Sequence, residues 1–271
     1  MPELPEVETI KNELLPFAAG QVIKKIDILS SSTLHTCTPE VLNTGVAGQR
    51  IAQLFRRGKY LVFRLANGKL LLVHHKMTGS FQVAPRISEP PKHTRAIIHL
   101  GDGTVFYFID PRRFGRFELT GPEAASLEKL GPEPLSPEFT VKCLGEILAG
   151  RRVPLKSALL NQELIAGIGN LYADEILFAA RLSPKRLASS LSMTEIRCLH
   201  VEIQRALQSG IERKGASLVN YYRPGGEKGG AHLAFKVARR AGEVCPAGCG
   251  GVISHISFRG RGTYFCSQCQ K

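Results

Sequence analysis

The sequence predicts an α+β chain in two lobes: a helix with an antiparallel β-sandwich, then a helical part closed by a four-cysteine hairpin. Three observations predict it. An amphipathic helical pattern opens the chain, short β-favouring runs with turn signals fill residues 22–118, and helical periodicity takes over after a proline-rich stretch at 131–140. With 271 residues, 43% of them hydrophobic, the chain is long enough for two modest cores.

The first helix is predicted over 6–18, where Val7, Ile10, Leu14 and Phe17 recur at helical spacing behind Pro5 and early acidic residues. The runs VIKKIDIL, YLVFRL, LLLVHH, RAIIHL and TVFYFI then read as strands, separated by NG, DG and similar turns. GPEPLSPEFT at 131–140 reads as a linker, so an N-terminal domain is expected over 1–130. Helices are predicted over 141–149, 157–164, 171–180 and 193–209, the last with Ile196, Leu199, Ile203 and Leu207 on one face. That second domain is expected to run over 141–235. Its glycine-rich stretch near 218–230 reads as a flexible loop without a packing face, decorated with Tyr221, Tyr222, Arg223 and Lys228.

The last segment, 236–271, holds Cys245, Cys249, Cys266 and Cys269 in a C-x3-C-x16-C-x2-C pattern. Two close pairs separated by a hairpin's length bring four thiolates to the corners of a tetrahedron, which predicts one structural zinc ion with no open position for chemistry. The other three cysteines are scattered, so the pattern does not read as a disulfide framework and fits a reducing, cytoplasmic compartment. No signal segment or membrane-length apolar run is read in the sequence. Thirty-six Lys and Arg against 23 Asp and Glu give a formal charge of +13, and residues 211–271 carry ten basic against three acidic side chains. Such an excess points to a polyanionic partner.

Five segments carry a resemblance: MPELPEVETI at the start, RRGKYL at 56–61, DPRRFGR at 110–116, GIGNLYADEILF at 167–178 and GRGTYFCSQCQK at 260–271. In order and position, over essentially the whole chain, they resemble the formamidopyrimidine-DNA glycosylase (Fpg, MutM) family. The resemblance implies a helix-two-turn-helix element in the second domain and a lesion-recognition role for the loop near 218–230. It implies excision of oxidised purines, notably 8-oxoguanine opposite cytosine and formamidopyrimidines, followed by β,δ-elimination at the abasic site. Its expected partner is damaged double-stranded DNA, bound by a monomer without an obligate protein partner or membrane, associated with the nucleoid. An endonuclease VIII-like enzyme for oxidised pyrimidines and a non-catalytic zinc-containing protein that binds damaged DNA are the alternatives. The PELPE opening and the set Pro2, Glu3 and Lys59 argue against them.

The chemistry is read from the N-terminus. Removal of Met1 before a small residue leaves the secondary amine of Pro2, less basic than Lys and able to attack a sugar C1′. A carboxyl close to the reacting sugar can move its protons, and the resemblance gives that role to Glu3 and implies that Glu6 orients the N-terminus. The resemblance adds Lys59 as a group reaching the lesion and Arg261 on the hairpin tip. It also implies three void-filling residues, Met77, Arg112 and Phe114, of which Arg112 would read the cytosine left unpaired. His74, His93, Arg113, Lys156 and Asn170, with Arg261, complete the implied phosphate contacts. His75 departs from the family, standing where an apolar residue is usual.

Overall fold

Pro5 at the second helical position and Glu6 at the third start helix α1 (Leu4–Ala18), where a rigid φ and a negative charge both favour a helix N-terminus. Leu4, Val7, Ile10, Leu14 and Ala18 form its buried face. Phe17, expected on that face, is exposed: Ala18, one turn beyond Leu14, takes the inward position and Phe17 falls to its side. The structure is a computed structural model that describes residues 1–34, 36–217 and 221–271.

Two units make up the chain: Met1–Glu128 with Arg213–His232, and Lys129–Glu212 with Leu233–Lys271. The first contains β1 (Val22–Ile28), α2 (Pro39–Val46), β2 (Gln49–Arg57), β3 (Tyr60–Leu65), β4 (Leu70–His74), β5 (Ser80–Ala84), β6 (Thr94–Leu100), β7 (Val105–Ile109), β8 (Arg116–Thr120) and the short α3 (Ala125–Glu128). The strands follow the order β5-β7-β6-β1-β2-β3-β4-β8, with every pairing antiparallel. β1 and β2 share only two paired positions, and register shifts flank that joint. There the sheet folds on itself. β5 and β8 are opposite ends of the strand order, yet Phe81 and Phe117 stack with centroids 6.5 Å apart, and Phe108 lies 5.1 Å from Phe117. The enclosed core joins Ile26, Ile98 and Phe106 of one half with Phe63, Leu71 and Val73 of the other, as the sandwich reading requires.

The second unit carries α4 (Val141–Leu148), α5 (Leu155–Leu160), α6 (Asn170–Ala179), α7 (Met193–Glu212), β9 (Ile253–Phe258) and β10 (Arg261–Cys266). Ile196, Leu199, Ile203 and Leu207 form the buried stripe of α7. The stretch 131–140, expected as a linker, is hydrogen-bonded into this unit: Gly131 N–H donates to the Gln162 carbonyl and Ala166 N–H to that of Pro132, while Phe139 is buried. Prolines end regular structure without exempting a segment from packing. No helix among the described residues is long and apolar enough to cross a membrane.

The glycine-rich stretch belongs to the first unit. Residues 218–220 lie outside the described residues. Beyond them the chain is held in place, contrary to the expectation of a loop without a packing face. Arg223 donates to Glu13 of α1 at 2.6 Å, and the Pro224 carbonyl accepts from Val83 N–H on β5. Gly229 passes so close to residues 214–215 that a Cβ there would lie 2.1 Å from the Lys214 carbonyl oxygen.

Candidate active site

In the first unit the start of α1 concentrates buried carboxylates. Glu3 and Glu6 are both buried, and Glu6 Oε2 accepts from the Glu3 backbone N–H at 2.8 Å. Its other oxygen accepts from Ala216 N–H at 2.7 Å. One carboxylate thus ties the segment behind Pro2 to the chain entering the 217–230 region, and Tyr221 Oη donates to the Glu6 carbonyl at 3.4 Å. Burial holds the Tyr221 hydroxyl well above its usual pKa, and the neighbouring Glu6 and Glu13 charges add to that. Pro2 is itself buried, whereas Met1 is 40% exposed.

Lys59 sits with Gly58 in the two-residue turn between β2 and β3, where Gly58 supplies a φ of 55°. The turn is braced from α1. Arg56 donates Nε to Glu8 at 2.8 Å and a terminal nitrogen to the Gly58 carbonyl at 3.0 Å. Burial works against the charged form of Glu8, but hydrogen bonds from Lys11 and Arg56 hold its carboxyl below the usual range. Lys59 is buried, not the exposed charge that hairpin lysines usually are.

Two loops at one end of the sandwich hold the three residues expected to fill a void. The connection from β4 to β5 carries Met77 and that from β7 to β8 carries Arg112, Arg113 and Phe114. Met77 is 42% exposed and Phe114 47%. Large apolar side chains at loop tips find no core partner there and are available to a ligand. The Arg112 guanidinium lies 4.9 Å from the Phe114 ring centroid. His93 and Arg113 both adopt left-handed backbone, with φ of 69° and 58°.

His74, at the end of β4, accepts from Lys76 N–H through Nδ1 at 2.9 Å and meets the Tyr60 ring edge-on. Burial first, then the charges of Lys76, Lys59 and Arg116, hold its imidazole well below the usual pKa. At neutral pH it is uncharged with its proton on Nε2. It therefore offers a phosphate a hydrogen bond and no charge.

In the second unit, Arg259 and Gly260 form the β9–β10 turn with φ of 48° and 74°, leaving Arg261 exposed at the tip. Lys156 and Asn170, expected as phosphate contacts, lie under that tip. Lys156 Nζ pairs with Asp174 at 2.6 Å and donates to the Gly262 carbonyl and Thr263 Oγ1. Asn170 Nδ2 donates to the same carbonyl at 3.0 Å. Burial raises the Asp174 carboxyl pKa despite the Lys156 ammonium beside it. Asn170 does not cap α6, whose N-cap is Gly169. A tight GIG turn makes Asn170 the first helical residue and frees its amide for the hairpin.

Glu175 accepts from the backbone N–H groups of Lys236, Val237 and Ala238 at 2.7 to 2.9 Å. It shapes the turn entering the cysteine segment, where Val237 packs with Cys245, Ile253 and Cys266. The four Sγ atoms of Cys245, Cys249, Cys266 and Cys269 lie within 4.8 Å of one another, two pairs being 3.8 and 3.5 Å apart. Tetrahedral zinc with Zn–S near 2.3 Å requires sulfur separations of about 3.8 Å. The thiols, with a C-x3-C pair on one side and a C-x2-C pair on the other, fit such an ion.

Sequence reasoning missed Thr78 and Asp110. Their signal was the MTG and DPRRF wording itself, since a buried Asp before a Pro-Arg-Arg turn needs several donors.

Three family models match in succession: the formamidopyrimidine-DNA glycosylase N-terminal domain over residues 1–117, its H2TH domain over 130–221, and the zinc finger found in FPG and IleRS over 242–271. The formamidopyrimidine-DNA glycosylase of Symbiobacterium thermophilum is 42% identical over 274 residues, spanning all of this chain and 89% of that protein. A crystal structure of MutM (Fpg) from Thermus thermophilus superposes with a TM-score of 0.89 at 40% identity, covering 99% of this chain and 98% of that one. A complex of a Lactococcus lactis Fpg mutant with a Fapy-dG containing DNA gives a TM-score of 0.91 at 34% identity, covering 100% of both chains. Three matched domains in family order, and whole-length relatives well above 30% identity, place this chain in the formamidopyrimidine-DNA glycosylase family.

Proposed function

We propose that this protein excises oxidised purines, 8-oxoguanine opposite cytosine and formamidopyrimidines, from duplex DNA and then cleaves the strand by β,δ-elimination, with Pro2 as nucleophile. The observation that carries the reading is the buried start of α1, where Glu6 accepts from the Glu3 amide directly behind Pro2. Met1 is exposed, hence accessible to removal, which turns the tertiary amide nitrogen of Pro2 into a secondary amine. Its lone pair forms a bond to C1′ as the bond from C1′ to the base breaks, and the leaving base takes up a proton. Glu3 protonates the ring oxygen so that the sugar opens to an iminium, then serves as base. Loss of a C2′ proton expels the 3′ phosphate, a second elimination expels the 5′ phosphate, and water releases the sugar fragment from Pro2.

Extrusion of the lesion is a precondition, since C1′ is shielded within the stack. Met77 and Phe114 fill the vacated space and Arg112 hydrogen-bonds the orphaned cytosine. Arg113, Arg261 and Lys59 supply charge to the phosphates, and His74 and His93 supply hydrogen bonds. Lys156 and Asn170 act by holding the Gly262 carbonyl, and with it the hairpin tip. One zinc ion, bound by Cys245, Cys249, Cys266 and Cys269, stabilises that hairpin. The protein works as a monomer on nucleoid DNA in the cytoplasm.

Borohydride trapping tests the reading. Protein freed of Met1, incubated with an 8-oxoguanine:cytosine duplex and reductant, yields a covalent adduct that peptide mass mapping assigns to Pro2. An adduct on Lys59 alone, or faster processing of thymine glycol than of 8-oxoguanine, refutes it.

A further inference from the structure

The connections 75–79 and 110–115 run side by side between the two halves of the sandwich. Their roots are paired: His74 with Arg116 on β4–β8, and Ser80 with Ile109 on β5–β7. Between them lies Asp110, buried to 1% exposure and carrying no assigned role. Its Oδ1 accepts from the Thr78 hydroxyl on the first connection and from Arg112 N–H at 3.3 Å on the second. Its Oδ2 accepts from Gly115 N–H at 2.6 Å, closing the second connection on itself. The Arg112 amide is also 3.4 Å from Thr78 Oγ1.

The backbone of Asp110 is equally committed. Its N–H donates to the His93 carbonyl at 3.0 Å, and its carbonyl accepts from Arg95 Nε at 2.9 Å. Space around it is filled. A Cβ on Gly115 would lie 2.5 Å from the Phe108 ring, and one on Gly79 2.6 Å from the His75 carbonyl. Thus Met77 and the pair Arg112 and Phe114, on connections 30 or more residues apart in sequence, hang from one buried carboxylate.

We propose that Asp110 and Thr78 are positioning residues, a clasp that makes the Met77 turn and the Arg112–Phe114 turn move as one unit, so that insertion of the wedge and reading of the opposite base occur together. The proposal rests on the void-filling role given above to those three residues. A carboxylate suits the task because it accepts from several donors without offering a proton, so Asn in its place would turn an N–H toward one of them. The Thr78 hydroxyl is the sole side chain reaching Asp110 from the first connection among the described contacts. Its loss removes this link, with the longer Arg112 N–H contact to the same hydroxyl, and uncouples the turns while leaving the bonds from Arg112 and Gly115 to Asp110 intact.

The test uses the full-length zinc-bound protein and an uncleavable duplex with a tetrahydrofuran site flanked by 2-aminopurine, whose fluorescence rises when it unstacks. At saturating protein, wild type raises the signal. Thr78→Val, nearly isosteric, reaches less than half that signal, and Thr78→Ser restores it. With 8-oxoguanine duplexes, Thr78→Val lowers excision opposite cytosine about tenfold, the scale of one lost hydrogen bond to a charged group, and narrows the preference for cytosine over adenine. Cleavage of single-stranded abasic DNA, which has no void to fill, stays within twofold of wild type. Equal losses on single and double strands would show that Thr78 only supports the fold and would overturn the clasp. So would wild-type fluorescence in Thr78→Val, or failure of Thr78→Ser to restore it. No fluorescence rise in wild type would sink the wedge reading itself and the clasp with it. An intact fluorescence rise without excision would fault the chemistry and leave the clasp to be judged by the fluorescence of the two variants.

Discussion

His75 is 1% exposed, and neither ring nitrogen has a hydrogen-bond partner among the described residues. It packs edge-on against Phe81 at 5.7 Å and tilted against Phe108 at 6.0 Å. Burial pushes its pKa from the usual 6.5 down to about 4, the nearby Asp110 charge opposing the shift only in part. The folded state therefore keeps the ring neutral where the unfolded chain is already protonated. Between pH 6.5 and 4 the unfolded state binds more protons, so stability is fully present above pH 6.5 and is lost as pH falls to about 4. A shift of about 2.5 units, at 1.36 kcal/mol each, corresponds to roughly 3 kcal/mol. His75→Leu, which restores an apolar side chain among the phenylalanines, removes this dependence. Urea unfolding of both proteins, followed by circular dichroism at pH 7.5 and 4.5, isolates the effect. Acid release of zinc is common to the two and cancels in the difference. The advantage of His75→Leu over wild type should grow by about 2 to 3 kcal/mol on going to pH 4.5. A difference constant to within about 0.5 kcal/mol would refute a neutral, buried imidazole.

Three further outcomes follow from the geometry. Glu6→Gln must turn an amide N–H toward either Glu3 or Ala216, losing a charge-assisted bond, so single-turnover adduct formation should fall roughly tenfold to a hundredfold with little change in DNA affinity; an unchanged trapping rate contradicts the orienting role. Arg261→Ala should lower the slope of log affinity against log salt by about one, whereas His74→Ala should weaken binding with the slope unchanged, because His74 is neutral. Equal slope changes would show a charged His74. Plasma emission should find one zinc per chain, and chelation should weaken binding to a lesion duplex at least about tenfold by freeing the hairpin that carries Arg261; undiminished binding after metal loss refutes that dependence.

Local patterns made much of the fold legible. The α7 stripe, the core strands β3, β4, β6 and β7, and the four cysteines each follow from periodicity or spacing within a short window. The strands β5 and β8 are as long as β4 and β7 but carry SFQVA and RFELT in place of a continuous apolar run, so nothing local marks them. Phe17 shows the limit of periodicity, since i+3 and i+4 are both compatible with a helical face and packing selects between them. The residues expected at a DNA interface divide the same way. Met77, Arg112, Phe114 and Arg261 are exposed at turns as their motifs implied. Lys156 and Asn170 are engaged under the hairpin, because the Gly262 carbonyl and Asp174 that hold them are distant in sequence.

The sequence by itself determined the family, the four-cysteine cluster and the candidate chemical groups near the N-terminus, because each is written in residues that are close together or in motifs of fixed wording. Tertiary structure alone decided that 213–232 packs with the first unit, that Glu6 bridges the N-terminus to Ala216, and that Asp110 holds two loops together. Those relations join residues tens to hundreds of positions apart. No local propensity encodes them, since a buried carboxylate's partners are chosen by whichever donors the closed sheet and the returning chain bring within hydrogen-bond reach.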